Sequence, residues 1–308
     1  MVTGTQGWKI ILGKSVKAIS AVLPLRVFGA GGLYADNFGR CQILLTSLSR
    51  FAAADLFETI FVVAPPREFP YVAKFCRTWT SLPLTVINEE DLLPALRDFP
   101  KCGGWYRQQL IKLATANLVN TEFFLTLDAD VILCKPLRLE DLVRSGRALL
   151  HPADRHKHAN WWDGSSQVLG VSANISMPGM SVTPAILSQT LCQRLFSYLT
   201  ERYWQHWASV LMQRTDMAWT EYTLYYLIAE HYGLLEKFHV TLPAAPGTRL
   251  LCPSNVWRGA DFERWDLDAC FDSTAPGFFT IMQSNTKIPA REVRRQLMNY
   301  LSLHSLIP

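Results

Sequence analysis

Over the first 150 residues, short apolar runs alternate with stretches whose apolar positions recur every three or four residues. Residues 25–28 (LRVF) are expected as a first buried strand, followed by a loop carrying Gly29, Gly31 and Gly32 and a helix from about 40 to 51. Residues 59–64 (TIFVVA) read as a second strand closed by Pro65 and Pro66, 71–79 as a helix, and 84–87 as a third strand. A helix over 105–118 then precedes a fourth strand at 122–127 (EFFLTL), which runs into Asp128-Ala129-Asp130-Val131. Strands and helices in alternation predict a mostly parallel central sheet flanked by helices.

Beyond residue 150 the pattern is less regular. Residues 151–163 (HPADRHKHANWWD) read as a loop, 184–202 and 220–232 carry helical spacing, and 278–282 (FFTIM) reads as a late strand. Residues 172–183, with Gly179 before Pro184, fit a helix entry or a loop on the acceptor side of a site. No linker composition divides the chain. The expected organisation is one domain: an N-terminal extension (1–24), a first half (25–150) and a second half with a C-terminal extension (151–308).

Composition narrows the class. With 308 residues, 49% hydrophobic and 18% charged, the chain is expected to bury a large core, and a net charge of +4 spread along the sequence argues against nucleic acid as a partner. Seven cysteines without a CxxC pair indicate neither a disulfide framework nor a zinc site, which points to a reducing, cytoplasmic setting. No apolar run reaches the roughly 20 residues that span a bilayer. The apolar stretch 18–25 after Lys9, Lys14 and Lys17 has a signal-peptide-like flavour interrupted by Arg26, and an N-terminal helix or surface segment is the expectation. A second reading makes Trp8, Ile10, Ile11, Leu12 and the lysines a peripheral membrane contact.

The candidate chemistry centres on Asp128 and Asp130. Two carboxylates one residue apart at the end of a buried strand need neutralising, and hard oxygen ligands suit Mn²⁺ or Mg²⁺. In an extended strand both side chains point the same way and reach one ion. Their position at the carboxyl end of a strand is where open α/β sheets bind ligands. An acidic turn is the plain alternative. Upstream, Trp105, Gln108, Gln109 and Lys112 fall at i, i+3, i+4 and i+7, a polar-aromatic stripe able to face a phosphate-bearing ligand; an ordinary solvated helix face fits the same spacing. The 29–34 loop lacks GxGxxG spacing because Tyr34 holds the last glycine position, so a dinucleotide fingerprint is not expected. Glu221 opens the 220–232 helix behind Thr220, where the helix dipole favours a carboxylate whether or not it does chemistry. His156 and His158 read as solvated.

The strings GGWYRQQLIKLATA (103–116), FFLTLDADVILCKPL (123–137) and WTEYTLYYLI (219–228) resemble bacterial GT-A glycosyltransferases. That resemblance implies a GT-A-like fold, a nucleotide-sugar donor (a UDP- or GDP-sugar), Mn²⁺ or Mg²⁺, and a saccharide or glycolipid acceptor in surface polysaccharide synthesis at the inner face of the membrane. It implies donor contacts from Gly29, Gly31 and Tyr34, from the stripe Trp105, Gln108, Gln109 and Lys112, and from Gln283, Ser284 or Lys287 returning late in the chain. It makes Glu221, with Asp216 second, the general base of an inverting enzyme or an orienting group of a retaining one, and Trp161, Trp162 and Trp219 walls for the acceptor sugar. Two other functions fit parts of the pattern. Asp128-x-Asp130-Val131 also matches the nucleophile motif of haloacid-dehalogenase phosphatases, without a later aspartate pair for its magnesium. The ten tryptophans, Trp204 and Trp207 among them, also suit a non-catalytic carbohydrate-binding protein.

Overall fold

The structure is a computed structural model that describes residues 17–28, 36–240 and 249–303. Its centre is a sheet built from β1 (Ile19–Pro24), β2 (Phe57–Ala64), β3 (Leu84–Asn88), β4 (Phe123–Thr126) and, later in the chain, Ala185–Ser188. The order is Ala185–Ser188, β4, β1, β2, β3; all pairs are parallel except the antiparallel edge strand against β4. All six residues of β1 are buried, as expected for a central strand covered on both faces. The expected mostly parallel α/β sheet is present.

The first strand lies earlier than the sequence pattern suggests. It occupies the second half of the stretch expected as an N-terminal extension with a signal-like character. Leu25 continues the pairing, its N–H donating to the Val63 carbonyl at 2.8 Å, so residues 25–27 form the exit of the strand rather than the strand itself. The helix α1 (Asp36–Phe51) follows, and α2 (Gly104–Ala114) runs from Gly103 toward the buried face of β1.

A two-stranded ribbon brings distant parts of the chain together. Strand β5 (Val131–Leu133), just after β4, pairs antiparallel with Phe279–Ile281. The second half supplies α3 (Ala159–Leu169), the strand β6 (Ala185–Ser188) already met at the sheet edge, α4 (Gln189–Tyr203), α5 (Glu221–His231), β7 (Phe279–Ile281) and α6 (Ala290–Leu303). Residues 159–163, the end of the stretch expected as a loop, are helical and open α3. Gly170, at φ 65°, ends that helix, and Gly164 lets it approach so closely that a Cβ there would stand 1.4 Å from the Met217 carbonyl. The helix expected from 184 starts instead at Gln189, after β6. Ser188 marks the change, its hydroxyl accepting the Leu191 N–H. Helix α5 begins as expected, with Thr220 capping Thr223 N–H at 3.1 Å.

Candidate active site

Asp128 and Asp130 do not extend β4. They form the tight turn between β4 and β5, closed by the Val131 N–H donating to the Asp128 carbonyl at 3.1 Å. Both nevertheless line one cleft of about 490 Å³. The cleft lies beyond the carboxyl ends of β1, β2 and β4, where a parallel sheet leaves its crevice. Pro24, Leu25 and Arg26 come from the end of β1, Val63 and Pro65 from the end of β2, Gly104, Trp105, Arg107, Gln108 and Ile111 from α2, and Gln283, Ser284 and Asn285 from beyond β7.

Each acidic residue is fixed by a different neighbour. The β5–β7 ribbon carries the Ser284 N–H to Asp130 Oδ2 at 2.9 Å, while the Met282 N–H donates to the Asp130 carbonyl at 2.9 Å. Arg40 of α1, a buried guanidinium, holds that returning segment by donating to the carbonyls of Met282 and Ile288, with Asp36 as its ion-pair partner at 3.2 Å. Asp128 is held from the other side. Lys112 Nζ lies 3.0 Å from its Oδ1 and donates to its Oδ2 at 3.2 Å, and the Gln108 amide donates to Oδ1 at 3.3 Å.

Lys112 is the hub beneath the cleft floor. It is buried, pairs with Glu221 at 3.2 Å, and donates to the Thr183 hydroxyl at 2.9 Å and to the Tyr222 hydroxyl at 3.4 Å. Burial works against its charge, but Asp128, Tyr222 and Glu221 outweigh it and hold the ammonium well above its ordinary pKa. Burial raises the Glu221 pKa; Lys112 opposes the shift and Asp128 adds to it. Asp130 is pushed up to about 6 by burial and by the neighbouring Asp128, against the pull of Ser284, Arg40 and Lys112.

The charge balance is what tests the metal. Asp128, Asp130 and Glu221 bring three negative charges and Lys112 one positive charge, while Arg40 is committed to Asp36. The cluster therefore carries two surplus negative charges; burial first and the neighbouring Asp128 second raise the Asp130 pKa. A divalent ion on hard oxygen ligands fits this deficit.

The expected site residues fall into distinct places. Asp128, Asp130, Trp105, Gln108 and Gln283 line the cleft, whereas Lys112 reaches Asp128 from below. Gln109 does not face a ligand: it is buried and its Oε1 accepts the Glu221 N–H at 2.9 Å. The stripe on α2 divides in this way because Gly104, Arg107, Gln108 and Ile111 share the face turned to the cleft, while Gln109 lies on the neighbouring face turned to the start of α5. Glu221 does not line the cleft either. At 3% exposure and paired with Lys112, it has no path to an acceptor hydroxyl in this arrangement, so the general-base role expected of it is not supported. Asp216 is exposed on the single turn Thr215–Met217, and Lys287 is exposed at φ 62°; neither lines the cleft. Gly29, Gly31 and Tyr34 lie outside the described residues.

The tryptophans also separate. Trp162 and Trp219 are fully buried, so they pack the core and offer no ring face to a sugar, contrary to expectation. Trp161 is half-buried, stacked on His158 at 3.9 Å, with its ring centroid 6.0 Å from that of Trp105 at the cleft. Trp162→Ala and Trp219→Ala are each expected to cost about 3–5 kcal/mol of stability by urea unfolding, whereas Trp105→Ala, at an exposed site, is expected to stay within about 0.5 kcal/mol.

Arg26, Arg107, Glu89, Asn37 and Asn285 are site residues that sequence spacing does not single out. Arg107 is engaged by Glu89, and Asn37 Nδ2 donates to the Arg26 carbonyl at 2.7 Å. Only Arg107 carried a signal, since it neighbours Gln108 on α2.

Comparison with known proteins places the fold. Residues 16–305 match the model of a family of unknown function (DUF6492). No curated protein matches the chain in sequence. Among solved structures, mouse xyloside xylosyltransferase 1 in its apo form superposes over 88% of this chain and 100% of that chain, with a TM-score of 0.50 at 14% identity. S. aureus TarS 1-349 in complex with UDP matches over 39% of this chain and 29% of that one (TM-score 0.26, 16% identity). Its complex with UDP-GlcNAc matches over 41% and 29% (TM-score 0.25, 18% identity). This chain thus spans less than a third of the TarS chains, and that likeness is too slight to carry an argument. The architecture, a mostly parallel sheet flanked by helices, is one found in a glycosyltransferase.

Proposed function

We propose a function for this chain, which belongs to the DUF6492 family of unknown function: it is a metal-dependent glycosyltransferase that moves a sugar from a nucleotide-sugar to a saccharide or glycolipid hydroxyl. The observation that carries the reading is the pair Asp128 and Asp130 on one turn at the carboxyl end of a parallel sheet, both lining an open cleft, in a cluster with two surplus negative charges.

Asp128 and Asp130 would hold Mn²⁺ or Mg²⁺. When bound, the ion would supply Lewis acidity for the charge that appears on the departing nucleoside diphosphate. The protein's own groups prepare the site. Lys112 and Gln108 fix the Asp128 carboxylate in one orientation, and the Ser284 N–H fixes that of Asp130, so little reorganisation is needed when the donor arrives. Leu25, Val63 and Pro65 at the ends of β1 and β2 offer an apolar floor for the donor's base, and the Arg26 guanidinium at the rim is suited to its phosphates. Trp105 and Trp161 present aromatic surface for a sugar ring. Glu221 is a positioning residue here, holding Lys112 against Asp128.

The test is release of nucleoside diphosphate from a panel of UDP- and GDP-sugars, with candidate saccharide acceptors, in Mn²⁺, in Mg²⁺ and in chelator. Release that requires the ion is expected for at least one donor. Equal release in chelator contradicts the metal role, and phosphate release from simple monoesters in its place would favour a phosphatase built on Asp128.

A further inference from the structure

Three cysteines that the sequence scatters are gathered in a second core, away from the cleft. Cys134 follows β5, Cys252 lies on the segment whose N–H groups pair with β7, and Cys270 sits on the short helix Leu267–Phe271. Their sulfurs all lie within 4.8 Å of one another, and the three residues are 1%, 3% and 0% exposed. All seven cysteines are free thiols. The reading of the sequence that excluded a zinc site relied on the lack of a CxxC pair, which this arrangement does not need: its ligands come from three separate elements.

We propose that Cys134, Cys252 and Cys270 bind one zinc ion as thiolates, a structural site distinct from the carboxylate pair. Binding releases the thiol protons to solvent as the Zn–S bonds form, with no change of oxidation state. A Zn–S length of about 2.3 Å sets tetrahedrally placed sulfurs about 3.8 Å apart, inside the spread seen here. The donor set is soft, which selects zinc over the hard ions suited to Asp128 and Asp130. The Ser254 carbonyl, 3.3 Å from the Cys270 sulfur, is an oxygen already at the edge of the cluster.

Charge supports a divalent ion. Three thiolates around Zn²⁺ leave one negative charge, and Lys135, next to Cys134, is a buried ammonium whose hydrogen bond goes to the neutral Ala275 carbonyl. No ion pair to Lys135 occurs among the described residues. The exposed Asp272 carboxylate attracts Lys135 from beyond ion-pair distance, and a zinc–trithiolate group beside the ammonium would add a buried negative charge to offset its burial. The site would join β5, the 251–256 segment and the 267–271 helix around β7, the strand that delivers Ser284 to Asp130.

The test uses full-length protein produced in zinc-supplemented medium and purified under reducing conditions, with metal measured by elemental analysis. One zinc per chain is expected, retained in Cys41→Ser and in Asp130→Asn and lost in Cys252→Ser and Cys270→Ser. Should those variants fail to fold, the wild-type protein still decides. Titration with a mercurial should release zinc as three thiols react, and cobalt-substituted protein should show thiolate-to-cobalt charge-transfer absorption. Wild-type protein without zinc and without cobalt uptake, zinc undiminished in folded Cys252→Ser and Cys270→Ser, or a disulfide within the trio in the purified protein would each overturn the site. The result is independent of transferase activity.

Discussion

Asp130→Asn is expected to lower metal-dependent turnover of the nucleotide-sugar by roughly 1000-fold or more, while leaving the fold intact. The asparagine keeps an oxygen to accept the Ser284 N–H, so the β5–β7 ribbon retains its contact at the turn. What it loses is charge. Metal stabilisation of a leaving group is worth several kcal/mol, and each ~1.4 kcal/mol is a factor of ten in rate. The substitution also removes the burial cost of the charge and the repulsion from Asp128 that together push the Asp130 pKa up, so thermal stability without metal should be unchanged or higher. Steady-state kinetics with saturating Mn²⁺, alongside a thermal melt, checks both halves; a variant that turns over normally removes Asp130 from the mechanism.

The second large effect concerns Lys112. Lys112→Met should destabilise the protein by about 3–5 kcal/mol, the usual cost of stripping one partner from a buried ion pair. Glu221 is left buried beside Asp128 with no opposing charge, and the Thr183 and Tyr222 hydroxyls lose an ammonium donor. Adding Glu221→Gln to this background should recover part of the loss, because the amide needs no counter-ion. Urea unfolding of the two single variants and the double variant measures the coupling. If the losses simply add, Lys112 and Glu221 are not a working pair.

Much of the frame could be read from residues alone because its signals are local. The apolar runs of β2, β3 and β4 are bounded by prolines, acids or polar turns, and Thr220 announces α5 with a cap. The errors have physical causes too. Residues 185–188 are as apolar as the helix after them, so periodicity merges strand and helix, and only the Ser188 cap separates them. The 151–163 segment looks polar because His156, Lys157 and Asp163 face outward, yet Arg155 and Trp162 within it are fully buried.

The site was legible where chemistry is local to one element and illegible where it is assembled. Asp128, Asp130 and the first turn of α2 were visible as a motif and a stripe. The burial of Trp219 against Tyr106, the Lys112–Glu221 pair and the buttressing of the Met282–Ile288 segment by Arg40 depend on contacts across 100 residues or more of sequence, and Trp162 packs on Tyr226 of a later helix; spacing encodes none of these. The same holds for the three converging thiols.

We propose that Asp128 and Asp130 would hold the divalent ion on which binding of the donor's diphosphate depends. Calorimetric titration of a nucleoside diphosphate into the protein tests it directly, in Mn²⁺ and in chelator, for the wild type and for Asp130→Asn. Binding is expected in Mn²⁺, lost in chelator and at least tenfold weaker in the variant; equal affinity in all four conditions would contradict the metal role of the two aspartates.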